Sequence, residues 1–164
     1  MLKKQVNALN KILEKERYRY KDKEGLGIHP SHDKYVATNG YMFVVFDTQP
    51  EGYILGDRID NLVDTFNDMV ENGNLNCVCE SQIYAWNGRN FHGIIMECRN
   101  ENGLIGCFDK SLYDVAAAAC GRKHTTYIGT SKRWNGNAVM VLIGSGVNAL
   151  ILPFNKPPER FVQH

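Results

Sequence analysis

Long apolar runs are missing from this sequence. Runs such as Ala138 to Ile143 and Ala149 to Phe154 fall far short of the roughly 20 residues that span a bilayer. Lys3 and Lys4 are not followed by the apolar core of a secretory leader, so the expectation is a soluble, cytoplasmic chain with no membrane partner. Cysteine is also sparse, five in 164 residues. An odd number without a leader predicts reduced thiols rather than a disulfide framework. Charge of one sign is missing too: 19 basic against 18 acidic side chains leave a formal net charge of +1, which selects no partner. There is no Walker-type phosphate loop, no G-x-G-x-x-G before a helix and no G-x-S-x-G elbow, so nucleotide-driven and hydrolase chemistries have no motif to stand on.

A length of 164 residues is enough to bury roughly 70% of the unfolded surface, a core that needs no metal or disulfide. The charges are unevenly placed. Residues 1–34 carry nine basic and five acidic side chains, 51–80 carry seven acidic against Arg58 alone, and 89–133 carry seven basic and four acidic. Electrostatic function is therefore expected to be local.

Apolar periodicity predicts three helices. Leu2, Val6, Leu9 and Leu13 share one face of the first. The second, with Asp57 read as its N-cap, gathers Ile59, Leu62, Val63, Phe66, Met69 and Val70 and stops at Asn72-Gly73; the third is capped by Asp109, runs through Ala116 to Ala119 and ends at Gly121. Short β-type runs lie between them. Asn39-Gly40, Asn87-Gly88 and Asn135-Gly136 each sit between two such runs and are read as type I′ hairpin turns, and Gly144-Ser145-Gly146 closes a further hairpin. The pattern is an α+β chain built from approximately three β-α-β-β-β units, near 1–50, 51–103 and 104–154, in one compact domain over 1–154. Residues 155–164, with Pro157-Pro158, read as an extended tail in which Phe161 and Val162 are either a docking peptide or a cap on the core.

The segment from Tyr35, YVATNGYMFVVFD, resembles the ATDGyRLA strand-turn-strand of the bacterial DNA polymerase III beta subunit, the sliding clamp. The stretch Gly52 to Val63 resembles that family's strand leading into a helix, Cys107 to Ala118 its last strand-to-helix junction, and Ala149 to Phe154 its final strand. The chain departs from the family in having Asn39 for the usual Asp, Met42-Phe43 for Arg-Leu, and less than half a clamp subunit's length. The resemblance implies clamp-like helices packed on antiparallel sheets, no enzymatic activity, DNA or a DNA-processing protein as partner, and a bacterial or phage origin.

Two surfaces carry the functional expectations. On the first helix Lys4, Lys11 and Lys15 lie opposite the apolar stripe, and Arg17, Arg19 and Lys21 follow with interleaved tyrosines, a pattern suited to nucleic-acid phosphates. On the second helix Asp60, Asp64, Asp68 and Glu71 lie opposite the apolar stripe and would repel a phosphate backbone. They suit a basic protein surface instead, as in an inhibitor or adaptor of a nucleic-acid-processing protein. Both rows are also what ordinary solvated helix faces look like. No metal or cofactor is expected: Cys77 and Cys79 are spaced by one residue in a strand and read, with Cys98 and Cys107, as buried small apolar residues, while His29 and His32 flank Pro30 with only Asp33 for company. Cys120 and His124 are close in sequence but lack any surrounding nucleophile motif. Oligomeric state is not fixed by the sequence.

Overall fold

Strands that are apolar at every position cannot have a wet face, and this decides the architecture. The computed structural model describes residues 2–19, 27–89, 91–130 and 136–154, the side chains of 15–19 excepted. Within them the chain order is α1 (Lys3–Arg19), β1 (His29–Ser31), β2 (Lys34–Thr38), β3 (Met42–Phe46), α2 (Asn61–Asn72), β4 (Asn76–Asn87), β5 (His92–Asn100), β6 (Ile105–Asp109), α3 (Lys110–Cys120), β7 (Thr125–Gly129), β8 (Val139–Ile143) and β9 (Val147–Ile151). The strands form one sheet in the order β1-β2-β3-β9-β8-β7-β4-β5-β6, and every strand pair is antiparallel. The α+β class, helices packed on antiparallel strands, is the expected one.

The central strands β3, β8 and β9 send alternate side chains into two separate cores. Met42, Val44, Phe46, Met140, Leu142, Ala149 and Ile151 pack with Ala8, Leu9 and Ile12 of α1 and Leu112, Ala116 and Ala119 of α3. Phe43, Val45, Val139, Val141 and Leu150 pack with Val63, Phe66 and Met69 of α2. The molecule is thus three layers, α1 and α3 on one face of the sheet and α2 on the other. Each large side chain taken fully out of water contributes roughly 1.5–3 kcal/mol before the cost of ordering it. Because α2 lies alone on its face, the three helix-led units are not equivalent. The pattern strand-helix-three strands is met by β6-α3-β7-β8-β9, whereas Leu55 before α2 makes only an isolated parallel bridge with Ile28.

Local details depart from the sequence reading for identifiable reasons. The apolar stripe of α1 centres on Ala8, Leu9 and Ile12; Leu2 precedes the helix and is 74% exposed. Val70 of α2 is 45% exposed, since the core contact ends with Met69. The residue at the N-cap of α2 is Asp60, not Asp57, and its carboxylate is turned to other partners instead of the helix. Asp109 does cap α3, accepting the Ser111 N–H at 2.9 Å, and Gly73 and Gly121 close α2 and α3 as their spacing implies.

The hairpin at Asn39-Gly40 forms, but only Gly40 has positive φ, so the turn is not type I′. Asn39 is buried and its carboxamide oxygen accepts the N–H groups of Tyr41 and Met42. At the second hairpin Asn87 pairs with His92 and Gly88 donates to the Phe91 carbonyl, so the chain reverses beyond the Asn-Gly dipeptide. Asn135 lies outside the described residues, and β7 spans Thr125–Gly129. The 155–164 tail also lies outside them. Strand β1 was not legible at all, being three residues long with Pro30 at its centre; proline is tolerated there because β1 is the edge of the sheet.

Candidate functional site

Helices α1 and α3 lie side by side and antiparallel. The Gln5 side chain at the start of α1 donates to the Ala119 carbonyl at the end of α3, 3.1 Å away, while Lys11 and Glu14 share a cleft of about 560 Å³ with Asn39, Ser111 and Asp114 at the other end. Small residues permit this approach, because Ala116 and Ala119 present little more than a methyl group. Lys4 and Lys11 are exposed, as their place on the wheel predicts. The side chains of Lys15, Arg17 and Arg19, in the last turns of α1, and the whole of Lys21 lie outside what is described.

The antiparallel packing splits the predicted lysine stripe. Lys11 lines a cleft with Glu14 and Asp114, and Asp114 is paired with Lys110 of its own helix at 2.7 Å. Lys4, with Lys3, stands at the end of α1 that meets the end of α3, where Gly121 is followed by exposed Arg122 and Lys123. Four exposed cations therefore converge on one corner, and the acidic residues of the two helices, Glu14, Glu16 and Asp114, all fall in their other halves. The first turn of α1 has no acidic residue. Two lysines at the positive end of a helix oppose its macrodipole, and the negative C-terminal end of α3 beside them offsets part of that repulsion. Sequence reasoning missed Arg122 and Lys123 because a basic pair just after a helix is the ordinary complement to its dipole, and it missed Lys3 as a partner of theirs because 119 positions separate Lys3 from Arg122 along the chain. The juxtaposition across nearly the whole chain appears only on folding.

The acidic row on α2 faces the opposite side of the molecule, and part of it is engaged within the chain. Asp60 accepts the His32 backbone N–H at 2.9 Å and the Arg58 Nε at 3.0 Å, and these bonds, the His32 one first, hold its carboxyl below the usual range. Asp64 Oδ1 lies 2.8 Å from His32 Nε2. His32 has φ of 53°, the left-handed turn conformation that lets it reach both carboxylates. Asp68, half-buried, accepts from its helix neighbour Asn72 at 2.9 Å, and Glu71 is exposed. The four acids do share a surface, but Asp60 and Asp64 tie the β1–β2 turn to α2, while Asp68 and Glu71 are not bonded to that turn.

Cys77 and Cys79 are exposed, contrary to the buried reading; they stand on β4 near the point where it leaves the body of the sheet, and Cys79 Sγ donates to the Arg99 carbonyl at 3.4 Å. Cys98, Cys107 and Cys120 are buried. Burial pushes the thiol of Cys98 up to about 12, of Cys107 to about 11 and of Cys120 to about 12, so none supplies a thiolate near neutrality. His124 does not activate Cys120; its Nδ1 is 2.7 Å from the Gly121 carbonyl. His29 is buried with Nδ1 2.8 Å from the Asp57 carbonyl, and among the described residues no three His, Cys, Asp or Glu side chains converge as a metal site. A second cleft, about 640 Å³, lies between Ile83, Phe91 and Ile94 of the β4–β5 hairpin and Lys110, Ser111 and Asp114 at the start of α3. No helix among the described residues is long and apolar enough to cross a membrane.

Comparison with protein-family models, with curated proteins and with solved structures gives no match.

Proposed function

We propose that the chain is a non-enzymatic, clamp-like module that binds the phosphate backbone of DNA with the outer side of its α1/α3 layer, centred on Lys3, Lys4, Arg122 and Lys123. The observation that carries the reading is the convergence of these four exposed cations through the Gln5 to Ala119 contact, with the acids of both helices at the far end. The paired helices on one face of a continuous antiparallel sheet, and the β6-α3-β7-β8-β9 unit, support a clamp-like scaffold. A surface of this kind contacts phosphates without reading bases, so binding would be sequence-independent and steeply salt-dependent. Four phosphate contacts correspond to a slope of log affinity against log salt of about −3.6 on duplex DNA.

The test is a salt titration of duplex binding by the wild type and by the quadruple variant Lys3→Glu, Lys4→Glu, Arg122→Glu, Lys123→Glu. The variant should lose most of the slope and bind all sequences more weakly. Absence of wild-type binding at low salt, where attraction is strongest, would refute the reading.

A second reading is favoured by one observation: Asp68 and Glu71 stand on α2, on the face away from α1 and α3, with no cation paired to them among the described residues. This surface suits a basic protein partner, as in an inhibitor or adaptor of a nucleic-acid-processing protein. Asp64→Lys with Asp68→Lys and Glu71→Lys should then abolish capture of such a partner while the quadruple basic-corner variant retains it.

A further inference from the structure

Strand β4 is 12 residues long, yet β7 pairs with only its first two, Asn76 and Cys77. Past a bulge between Val78 and Glu80 it continues with β5 on one side alone. Its other edge, at Ser81, Ile83, Ala85 and Asn87, is paired with no strand among the described residues. The hydrogen bonding has a definite sense. Gly88 N–H bonds to the Phe91 carbonyl and the register carries Asn87 opposite His92, so the even-numbered residues of β4 bond to β5. The backbone groups of Ser81, Ile83, Ala85 and Asn87 therefore point to the open edge. Open edges in natural sheets are normally short, or blocked by lysine, proline or a bulge. The stretch Ser81 to Asn87 contains no charge and no proline, and the bulge comes before it.

The flanking side chains reinforce the edge. Ala85 pairs with Ile94 and Ile83 with Met96, which puts Ile83, Ala85 and Ile94 on one face, where Ile83 is 56% and Ile94 46% exposed. The charges bracketing the stretch are of opposite sign, with exposed Glu80 at its start, 3.8 Å from Arg99 of its own chain, and exposed Arg89 just past its end.

We propose that this edge is a homodimer interface, on which a second copy of the chain adds its own β4 antiparallel across a two-fold axis, Ile83 of one copy opposite Ala85 of the other. An antiparallel edge is complementary to itself under a two-fold operation, so the contact is isologous and closes at two copies. In this register the outward N–H and C=O groups of Ser81, Ile83, Ala85 and Asn87 find partners, the isoleucines of both copies form one apolar strip, and each Glu80 comes beside the Arg89 end of the other strand. A second copy is the occupant that the edge's own charge order favours, since reversing the strand places acid against base without any outside sequence.

Sedimentation equilibrium of the full chain from roughly 1 µM to 1 mM, the range expected of a small interface, reads the association, and hydrogen exchange at both ends of that range reads its location. The mass should rise from 18.6 kDa towards twice that value, with the amides of Ser81, Ile83 and Ala85 protected only at high concentration. Ile83→Lys should weaken association by about tenfold or more, as edge lysines do, at an unchanged melting temperature, because Ile83 is half exposed. Arg89→Glu should weaken it, and Glu80→Arg with Arg89→Glu should restore it. A chain that stays monomeric throughout overturns the proposal, as does a dimer whose Ser81, Ile83 and Ala85 amides still exchange freely, or one indifferent to Ile83→Lys.

Discussion

Asn100 is the buried polar residue that ties the β4–β5–β6 arm to the body of the sheet, and its removal offers a quantitative check of the packing. It stands at the end of β5, almost fully buried. Its Oδ1 accepts the N–H groups of Asn102 and Leu104 at 3.0 and 3.1 Å, which shapes the turn into β6. Its Nδ2 donates to the Ile128 carbonyl in β7 at 3.3 Å, reaching across β4. Truncation to alanine loses three hydrogen bonds at about 0.5–1.5 kcal/mol each and leaves a buried carbonyl short of one donor. The expected loss is about 3 kcal/mol. For a domain of this size that corresponds to a fall in Tm of about 6–12 °C, read by calorimetry or denaturant titration. Asn102→Ala, two residues away and exposed, is the control and should change stability by less than about 0.5 kcal/mol. If Asn100→Ala and Asn102→Ala unfold alike, Asn100 does not bridge the turn to β7, and the arm is held by strand pairing alone.

Two further outcomes follow from the thiols and from the acid at the start of α2. Of the five cysteines, Cys77 and Cys79 should be modified rapidly by a thiol reagent in the native protein, and Cys98, Cys107 and Cys120 only on unfolding, because burial raises their thiol pKa; native labelling of all five would contradict the burial of these three thiols, two of which lie in the core against α1 and α3. Asp60 titrates below its ordinary value of 3.8 because His32 N–H and Arg58 bond to its charged form. A depressed carboxyl stabilises the fold above the unfolded-state pKa and loses that contribution as pH falls through the folded one, so melting temperature measured from about pH 5 to about pH 2 should fall less steeply in Asp60→Asn than in the wild type.

Composition and periodicity were enough to determine the class of this fold. Alternation cannot hide a strand such as Met42–Phe46 or Val139–Ile143 that is apolar throughout, nor a helix that ends at a glycine after a stripe of leucines or alanines, and Asn39-Gly40 and Gly144-Ser145-Gly146 located two of the hairpins. Local chemistry also capped α3 at Asp109. These are short-range preferences, and they act before the chain is folded.

What the tertiary structure alone decided is the placement of elements relative to one another. Periodicity says that a helix has an apolar face but not which side of a sheet it covers, so α2 fell on the opposite face from α1 and α3, and three similar units became three unequal ones. Asp57 is the cap that composition suggests, yet α2 starts after Asp60, whose carboxylate is taken by the His32 N–H and Arg58 and does not cap the helix. Cys79 is exposed beyond Cys77, the last residue of β4 that β7 pairs, and that register is encoded by no single strand. The basic corner has the same origin. Lys4 was legible as an exposed cation, but its company of Arg122 and Lys123 depends on the antiparallel contact between α1 and α3, since a surface charge field sums over neighbours in space and the sequence orders only neighbours along the chain.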